Sequence, residues 1–170
     1  MAGYLLDTSV LIALVDPGHV LHTTVAAAIG AMIGDDLQYV SAVSIGEIRT
    51  GVASVQAIHG RTPTHANQVL AAAQARTLLS INTQVAVTYG DLKAAMVSKF
   101  MPKASRNKPP GYLEDWIDHA TGKRLGINEN DLWICAQGFE RDLHILTCDG
   151  DFTNVKAAEP RLALSVLRVI

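Results

Sequence analysis

The sequence predicts an α/β fold of three layers, with a central, mainly parallel sheet between two layers of helices. Three observations predict it. Short apolar runs of strand length alternate with longer stretches of helical period. Apolar residues make up 49% of the 170, few of them aromatic, and many are the Ala, Val, Leu and Ile of a sheet covered on both faces. Two strand-like runs end on an acid, Asp7 and Asp149, and sites in such sheets form beyond the carboxyl ends of the strands.

Each element has its own signal. Gly3 to Ser9 reads as a short buried strand ending at Asp7, followed by an apolar helix from Val10 to Val15. Asp16-Pro17-Gly18 is a turn. Val20 to Ile33 is Ala-rich and helical and ends near Gly34-Asp35-Asp36. Gln38 to Val40 is a second strand, and Ser41 or Ser44 caps the helix that carries Ser44 to Gly51. Thr62-Pro63-Thr64 breaks the chain and starts a helix that runs to about Leu79. In the helix Gln84 to Phe100, Val85, Tyr89, Leu92 and Met96 recur at helical spacing. Met101 to Gly111 is basic, Pro-rich and aperiodic, and reads as a loop. Tyr112 to Thr121 reads as a short helix, and Glu129 to Glu140 as a longer one. His144 to Thr147 is a strand, and Leu162 to Ile170 alternates as a last strand. No repeat or linker divides the chain, so one domain over 1–170 is expected.

Composition narrows the function. The formal net charge is −2, whereas a general nucleic-acid coat protein would be strongly basic. A polyanion would need a local positive patch. Cys135 and Cys148 lack the spacing of a zinc site or a disulfide scaffold and read as small buried side chains. No signal-peptide pattern opens the sequence, and no apolar run approaches the roughly 18 residues of a membrane span. A cytoplasmic protein without membrane contact is expected.

Four acids stand in similar surroundings. Asp7 follows Leu5-Leu6, and Glu47 lies on a helix between Ile45 and Ile48. Asp131 precedes Leu132-Trp133-Ile134, and Asp149 follows Ile145-Leu146-Thr147-Cys148. An acid beside an apolar run lies near the core boundary, where an unpaired charge is costly. Cations are scarce around all four, apart from Arg49 near Glu47. Two unit charges about 4 Å apart repel by roughly 4 kcal/mol at an effective dielectric of about 20. Carboxylates gathered at that range raise one another's pKa values or bind a cation. Oxygen ligands without His or Cys select Mg²⁺ or Mn²⁺ over zinc. Each acid also has an ordinary structural role open to it: Asp7 and Asp131 as helix caps, Asp149 as a turn residue, Glu47 on an exposed helix face.

The segments Leu5 to Ile12, Ser44 to Gly51, Asn130 to Ala136 and Leu146 to Phe152 resemble, in order and spacing, the four signature stretches of PIN-domain nucleases, and most of all the VapC-type toxins of toxin–antitoxin pairs. The resemblance implies a PIN-like fold, a Mg²⁺- or Mn²⁺-dependent endoribonuclease acting on RNA, a cognate antitoxin and a homodimer. It matches Asp7, Glu47, Asp131 and Asp149 to the catalytic, metal-binding acids. Ser9 and Thr147 match hydroxyl positions that support the ligands. Asp151 matches an acid that is either a further ligand or a cap. The implied chemistry is metal-assisted phosphodiester hydrolysis leaving a 5′-phosphate, with Glu47 on metal or orienting the water.

The chain departs from that pattern in two places. Cys135 stands where the family usually has Ala. The stretch of about 98–126 is longer than the usual connection and carries Lys99, Lys103, Arg106, Lys108, Lys123 and Arg124. Lys103, Arg106 and Lys108 are candidate RNA contacts, with Tyr112 and Trp116 as candidate base-stacking residues. The competing reading is a solvated loop whose aromatics pack on the body. Alternatives for the whole chain are an RNA-processing PIN nuclease without an antitoxin, and a non-catalytic PIN-like RNA-binding module.

Overall fold

Alternation within the shortest strands already sets the layers. In β1 (Gly3–Leu6), Leu5 and Leu6 are both fully buried but face opposite ways. Leu5 packs with Ile145, Leu132, Met96 and Phe152, and Leu6 packs with Leu146, Val40, Leu11 and Val69. Both faces are therefore covered, as a parallel sheet requires.

The computed structural model describes residues 3–32, 37–101 and 111–169. After β1 come α1 (Thr8–Val15), α2 (His22–Gly30), β2 (Leu37–Ser41), α3 (Ala42–His59), α4 (Ala66–Gln74) and β3 (Thr77–Leu79). Then follow α5 (Thr83–Phe100), a single 3₁₀ turn (Leu113–Asp115), α6 (Glu129–Glu140), β4 (His144–Thr147), α7 (Phe152–Ala158) and β5 (Leu164–Val166). The described strands form one parallel sheet in the order β3-β2-β1-β4-β5. The chain builds outward from β1 to β3, then crosses back to place β4 on the other side of β1. The crevice beyond the ends of β1 and β4 is thus the topological switch point, where sites in open α/β sheets form.

Short polar caps define where helices begin. Asp7 caps α1, Ser41 rather than Ser44 caps α3, Asn82 caps α5 and Asn128 caps α6. Gly138 lets α6 close on β4, since a Cβ there would lie 2.5 Å from Ile145. No helix among the described residues is long and apolar enough to cross a membrane.

Four expectations need correction. The helix after Pro63 stops at Gln74, and Thr77–Leu79 is an edge strand. Its end is held by Gln137, whose side-chain amide donates to the Leu79 and Ser80 carbonyls. An Ala-rich run hides that strand, because three residues give no period and the anchor comes from a distant helix. The stretch 112–121 is not a helix beyond the 3₁₀ turn. It continues into a small hairpin in which Ile117 pairs antiparallel with Arg124. The first Ala-rich helix is shorter than 20–33, and the last strand shorter than 162–170.

Candidate active site

The site is built around the end of β1. Asp7 has extended backbone and caps α1, which buries its carboxylate to 4% exposure. Its Oδ2 accepts from the Ser9 hydroxyl at 2.5 Å, the Ser9 N–H at 3.3 Å and the Thr147 hydroxyl at 2.8 Å. These bonds all fall on Oδ2, which leaves Oδ1 the freer oxygen. The same hydroxyls reach across to β4: Ser9 Oγ accepts from the Cys148 N–H, and Thr147 Oγ1 from the Asp149 N–H, each at 3.0 Å. One hydrogen-bonded relay therefore ties the ends of both switch-point strands together. Burial pushes the Asp7 carboxyl up, the Ser9 and Thr147 bonds oppose this, and Glu47 adds to it.

Asp131 enters from the first turn of α6. It completes a capping box: its N–H donates to the Asn128 side chain, and its Oδ2 accepts from the Asn128 N–H, both at 3.0 Å. Only 6% of Asp131 is exposed. Burial pushes its carboxyl up to about 7, against the Asn128 hydrogen bond, with Asp7, Asp149 and Glu47 contributing in that order.

Glu47 projects from the middle of α3 and is held from two sides. Thr8 Oγ1 donates to its Oε2 at 2.5 Å, and Asn130 Nδ2 donates to its Oε1 at 3.1 Å. Sequence reasoning missed Thr8 and Asn130 as site residues. Their signal was adjacency, since each directly follows or precedes a motif acid. Asp149 follows β4 and accepts from the Asp151 N–H at 2.8 Å.

The other three acids raise the pKa of Asp131, and Glu47 raises that of Asp7. Among the described residues no Lys, Arg or His forms an ion pair with any of them. Nor is any group of three or more His, Cys, Asp or Glu arranged to hold a metal ion by itself. The acids are coupled electrostatically, but no three of the described groups are placed to hold an ion together. Asp151 stands apart. It precedes α7 without a side-chain capping bond, and its carboxyl is raised by burial and by Asp149. It lies over Gly126, where φ is +72° and a Cβ would approach Asp151 Oδ2 to 2.0 Å. The structural roles are real: Asp7 caps α1 and Asp131 completes the capping box of α6, while both also belong to the cluster.

The basic stretch divides. Lys103, Arg106 and Lys108 lie outside the described residues. Trp116 is 2% exposed within the core that also holds Leu113, Leu125 and Ile127, so it is not a base-stacking residue. Tyr112 is exposed, as are Lys123 and Arg124 on the hairpin. Asn154 fixes the hairpin's return by donating to the Leu125 carbonyl at 2.6 Å. One cation near the site went unnoticed in the sequence. β5 runs beside β4, and the Arg168 guanidinium lies 3.8 Å from the position of a Cβ on Gly150, between Asp149 and Asp151.

With this geometry in hand, known proteins are informative. The chain resembles the solved VapBC2 complex of Rickettsia felis bound to promoter DNA, at 13% identity and a TM-score of 0.64, over 98% of this chain and 99% of that one. VapBC-5 of Mycobacterium tuberculosis aligns at 24% identity and a TM-score of 0.57, over 99% and 100%. VapC20 of the same organism, described as a Sarcin-Ricin loop cleaving toxin, aligns at 14% identity and a TM-score of 0.51, over 88% and 92%. These likenesses establish a shared fold. No curated protein sequence is significantly similar to the chain. The PIN domain profile matches residues 4–158, and the chain belongs to the PIN domain family.

Proposed function

We propose that this protein is a metal-dependent endoribonuclease and the toxin of a VapBC-type pair. The observation that carries the reading is the unpaired, mutually repelling cluster Asp7, Glu47, Asp131 and Asp149 at the switch point of a PIN fold. Its donors are all carboxylate oxygens, which suits Mg²⁺ or Mn²⁺. Mg²⁺ keeps several waters and takes one or two carboxylates from the protein. Bound there, the ion would supply Lewis-acid polarisation of the phosphate and a more acidic water.

The chain's own residues do the rest. Ser9 and Thr147 orient Asp7, and the capping box orients Asp131. Thr8 and Asn130 hold Glu47 from both oxygens, which fits a carboxylate that positions the attacking water and takes its proton. RNA cut this way ends in a 5′-phosphate and a 3′-hydroxyl.

A groove of about 450 Å³ between α1, α3 and α4 supports the antitoxin. Ile12, Val52, Val55 and Val69 line it, and it opens onto Thr8 and Glu47. Ile12 is 42% exposed there. An apolar helix of the antitoxin would fill the groove and direct an Arg or Lys into the acids. We extend the family's homodimer and cytoplasmic location to this chain on the same footing.

The test is cleavage of a mixed RNA pool with Mg²⁺, with Mn²⁺ and with chelator, beside an Asp7→Asn/Asp131→Asn control. Metal-dependent cutting that vanishes in the control supports the reading. A 2′,3′-cyclic phosphate product overturns the mechanism. Growth arrest on expression alone, relieved by Asp7→Asn, supports the toxin assignment, and normal growth favours an RNA-processing enzyme.

A further inference from the structure

A second groove, of about 620 Å³, leaves the acidic cluster on the other side of Glu47, between α3, the loop that joins β3 to α5, and α6. Val43, Gly46 and Thr50 line one side, and Ile81, Asn130 and Trp133 the other. Glu47 is the one lining residue it shares with the α1–α3–α4 groove. We infer that this second groove is a nucleobase subsite, receiving the base next to the scissile phosphate. The inference rests on the nuclease reading and names the part of the substrate that the site recognises.

Three observations carry it. First, the groove is continuous with the cluster, because Glu47 and Asn130 border both and are hydrogen-bonded to each other at 3.1 Å. Whatever fills it lies one side chain from the reacting group. Second, its aromatic wall is held in place. Trp133 stacks on Tyr89 with centroids 4.1 Å apart and planes at 13°. Tyr89 donates to Glu129, and Lys93 Nζ donates to Tyr89 at 2.8 Å and to Glu129 at 2.6 Å. A platform fixed before binding loses little freedom when a base stacks on it. Third, Gly46 lies inside α3, where glycine is the poorest former after proline, yet a Cβ there would meet nothing within 4 Å. The space beside this glycine is therefore open to the groove that it lines. The mixture of one aromatic, aliphatic walls and one side-chain amide suits a flat heteroaromatic ring with polar edges.

The experiment compares wild type with Gly46→Leu, whose side chain fills the groove without entering the core. The melting temperature of the variant should equal or exceed that of wild type. The substrates are one oligoribonucleotide with a single cut site, and two versions in which the base on either side of the cut is removed, leaving the ribose. Wild type should lose about 10- to 100-fold in kcat/KM when one of those bases is absent, the range of a base–aromatic stack. Gly46→Leu should lose a similar factor on intact RNA and then be indifferent to that base. If Gly46→Leu cuts as wild type does, or if the two losses simply multiply, the subsite is refuted. If the variant keeps full activity but halves the mass measured by light scattering, the groove belongs to a second copy instead.

Failure of the nuclease reading looks different, since wild type then cuts none of the substrates. In that case Trp133 fluorescence still decides, because Trp116 lies buried in the core. Quenching by the intact oligonucleotide but not by the abasic one, lost in Gly46→Leu, supports the subsite. Equal quenching by both, or none, refutes it.

Discussion

Replacing Asp131 with Asn should stabilise the metal-free protein at about pH 8. Asp131 keeps its proton in the fold up to about 7, whereas its ordinary value is 3.8, so the native state binds more protons than the unfolded chain between those limits. Stability therefore falls as pH rises from about 4 through 7, by roughly 1.4 kcal/mol for each unit of difference. Three units give about 4 kcal/mol at about pH 8. Asn keeps an oxygen for the Asn128 N–H but buries an amide without a designed partner, which takes back about 1–2 kcal/mol. The net gain of about 2–3 kcal/mol corresponds to a melting temperature higher by about 5–10 °C for a chain of this size. Differential scanning calorimetry in chelator at pH 4, 6 and 8 is the assay. The variant should match wild type or fall below it at pH 4 and overtake it as the pH rises. Adding Mg²⁺ at pH 8 should raise wild type and leave the variant nearly unmoved. If the Asp131→Asn variant melts below wild type at pH 8 in chelator, burial does not hold the proton on Asp131 as argued.

Three further outcomes follow from particular contacts. Thr147→Val removes a 2.8 Å bond to Asp7 and the acceptor of the Asp149 N–H, and should lower stability by about 1–3 kcal/mol, while Thr147→Ser restores most of it; urea melts give both numbers. Gly126→Ala should destabilise by about 1–3 kcal/mol, because φ is +72° and the new Cβ meets Asp151. Adding Asp151→Ala should recover the clash but not the backbone strain, and full recovery in a thermal melt would contradict that division. Trp116→Ala should cost about 3–5 kcal/mol as a core truncation, measured by urea unfolding; unchanged stability with weakened RNA binding would favour the base-stacking reading instead.

The acids were legible in the sequence because each sits beside an apolar run that fixes its place at the end of a strand or on a helix. Ser9 and Thr147 were legible through the family resemblance, and the structure places both on Asp7 Oδ2. Thr8, Asn130 and Arg168 were not, for a physical reason. Thr8 and Asn130 bond Glu47 across 39 and 83 positions, and Arg168 lies beside Gly150 across 18, and no local period reports such approaches. Thr77–Leu79 escaped because its strand character comes from β2 and from Gln137 rather than from its own three residues. Trp116 was left between stacking on a base and packing on the body, because a basic, Pro-rich neighbourhood suggests a solvated arm, and its burial bears out the packing reading. Its buried companions Leu113, Leu125 and Ile127 are spread too irregularly to show a face.

The double use of Asp7 and Asp131 explains how the chain can gather unpaired carboxylates at all. Each sits at the start of a helix, α1 and α6, where backbone N–H groups are unsatisfied and the helix dipole favours negative charge. At Asp131 the bond from the Asn128 N–H that completes the capping box also opposes the upward push of burial, and at Asp7 the Ser9 and Thr147 hydroxyls oppose it most. Folding thus supplies partial compensation from backbone N–H groups and side-chain hydroxyls, enough to bring the acids together but not enough to keep Asp131 fully ionised at neutral pH. A side-chain cation in the cluster would complete the compensation and close the site. Leaving it incomplete keeps the cluster open to a cation that arrives with the substrate, or to an Arg or Lys that arrives with an inhibitor. Catalysis and inhibition would then draw on the same electrostatic deficit.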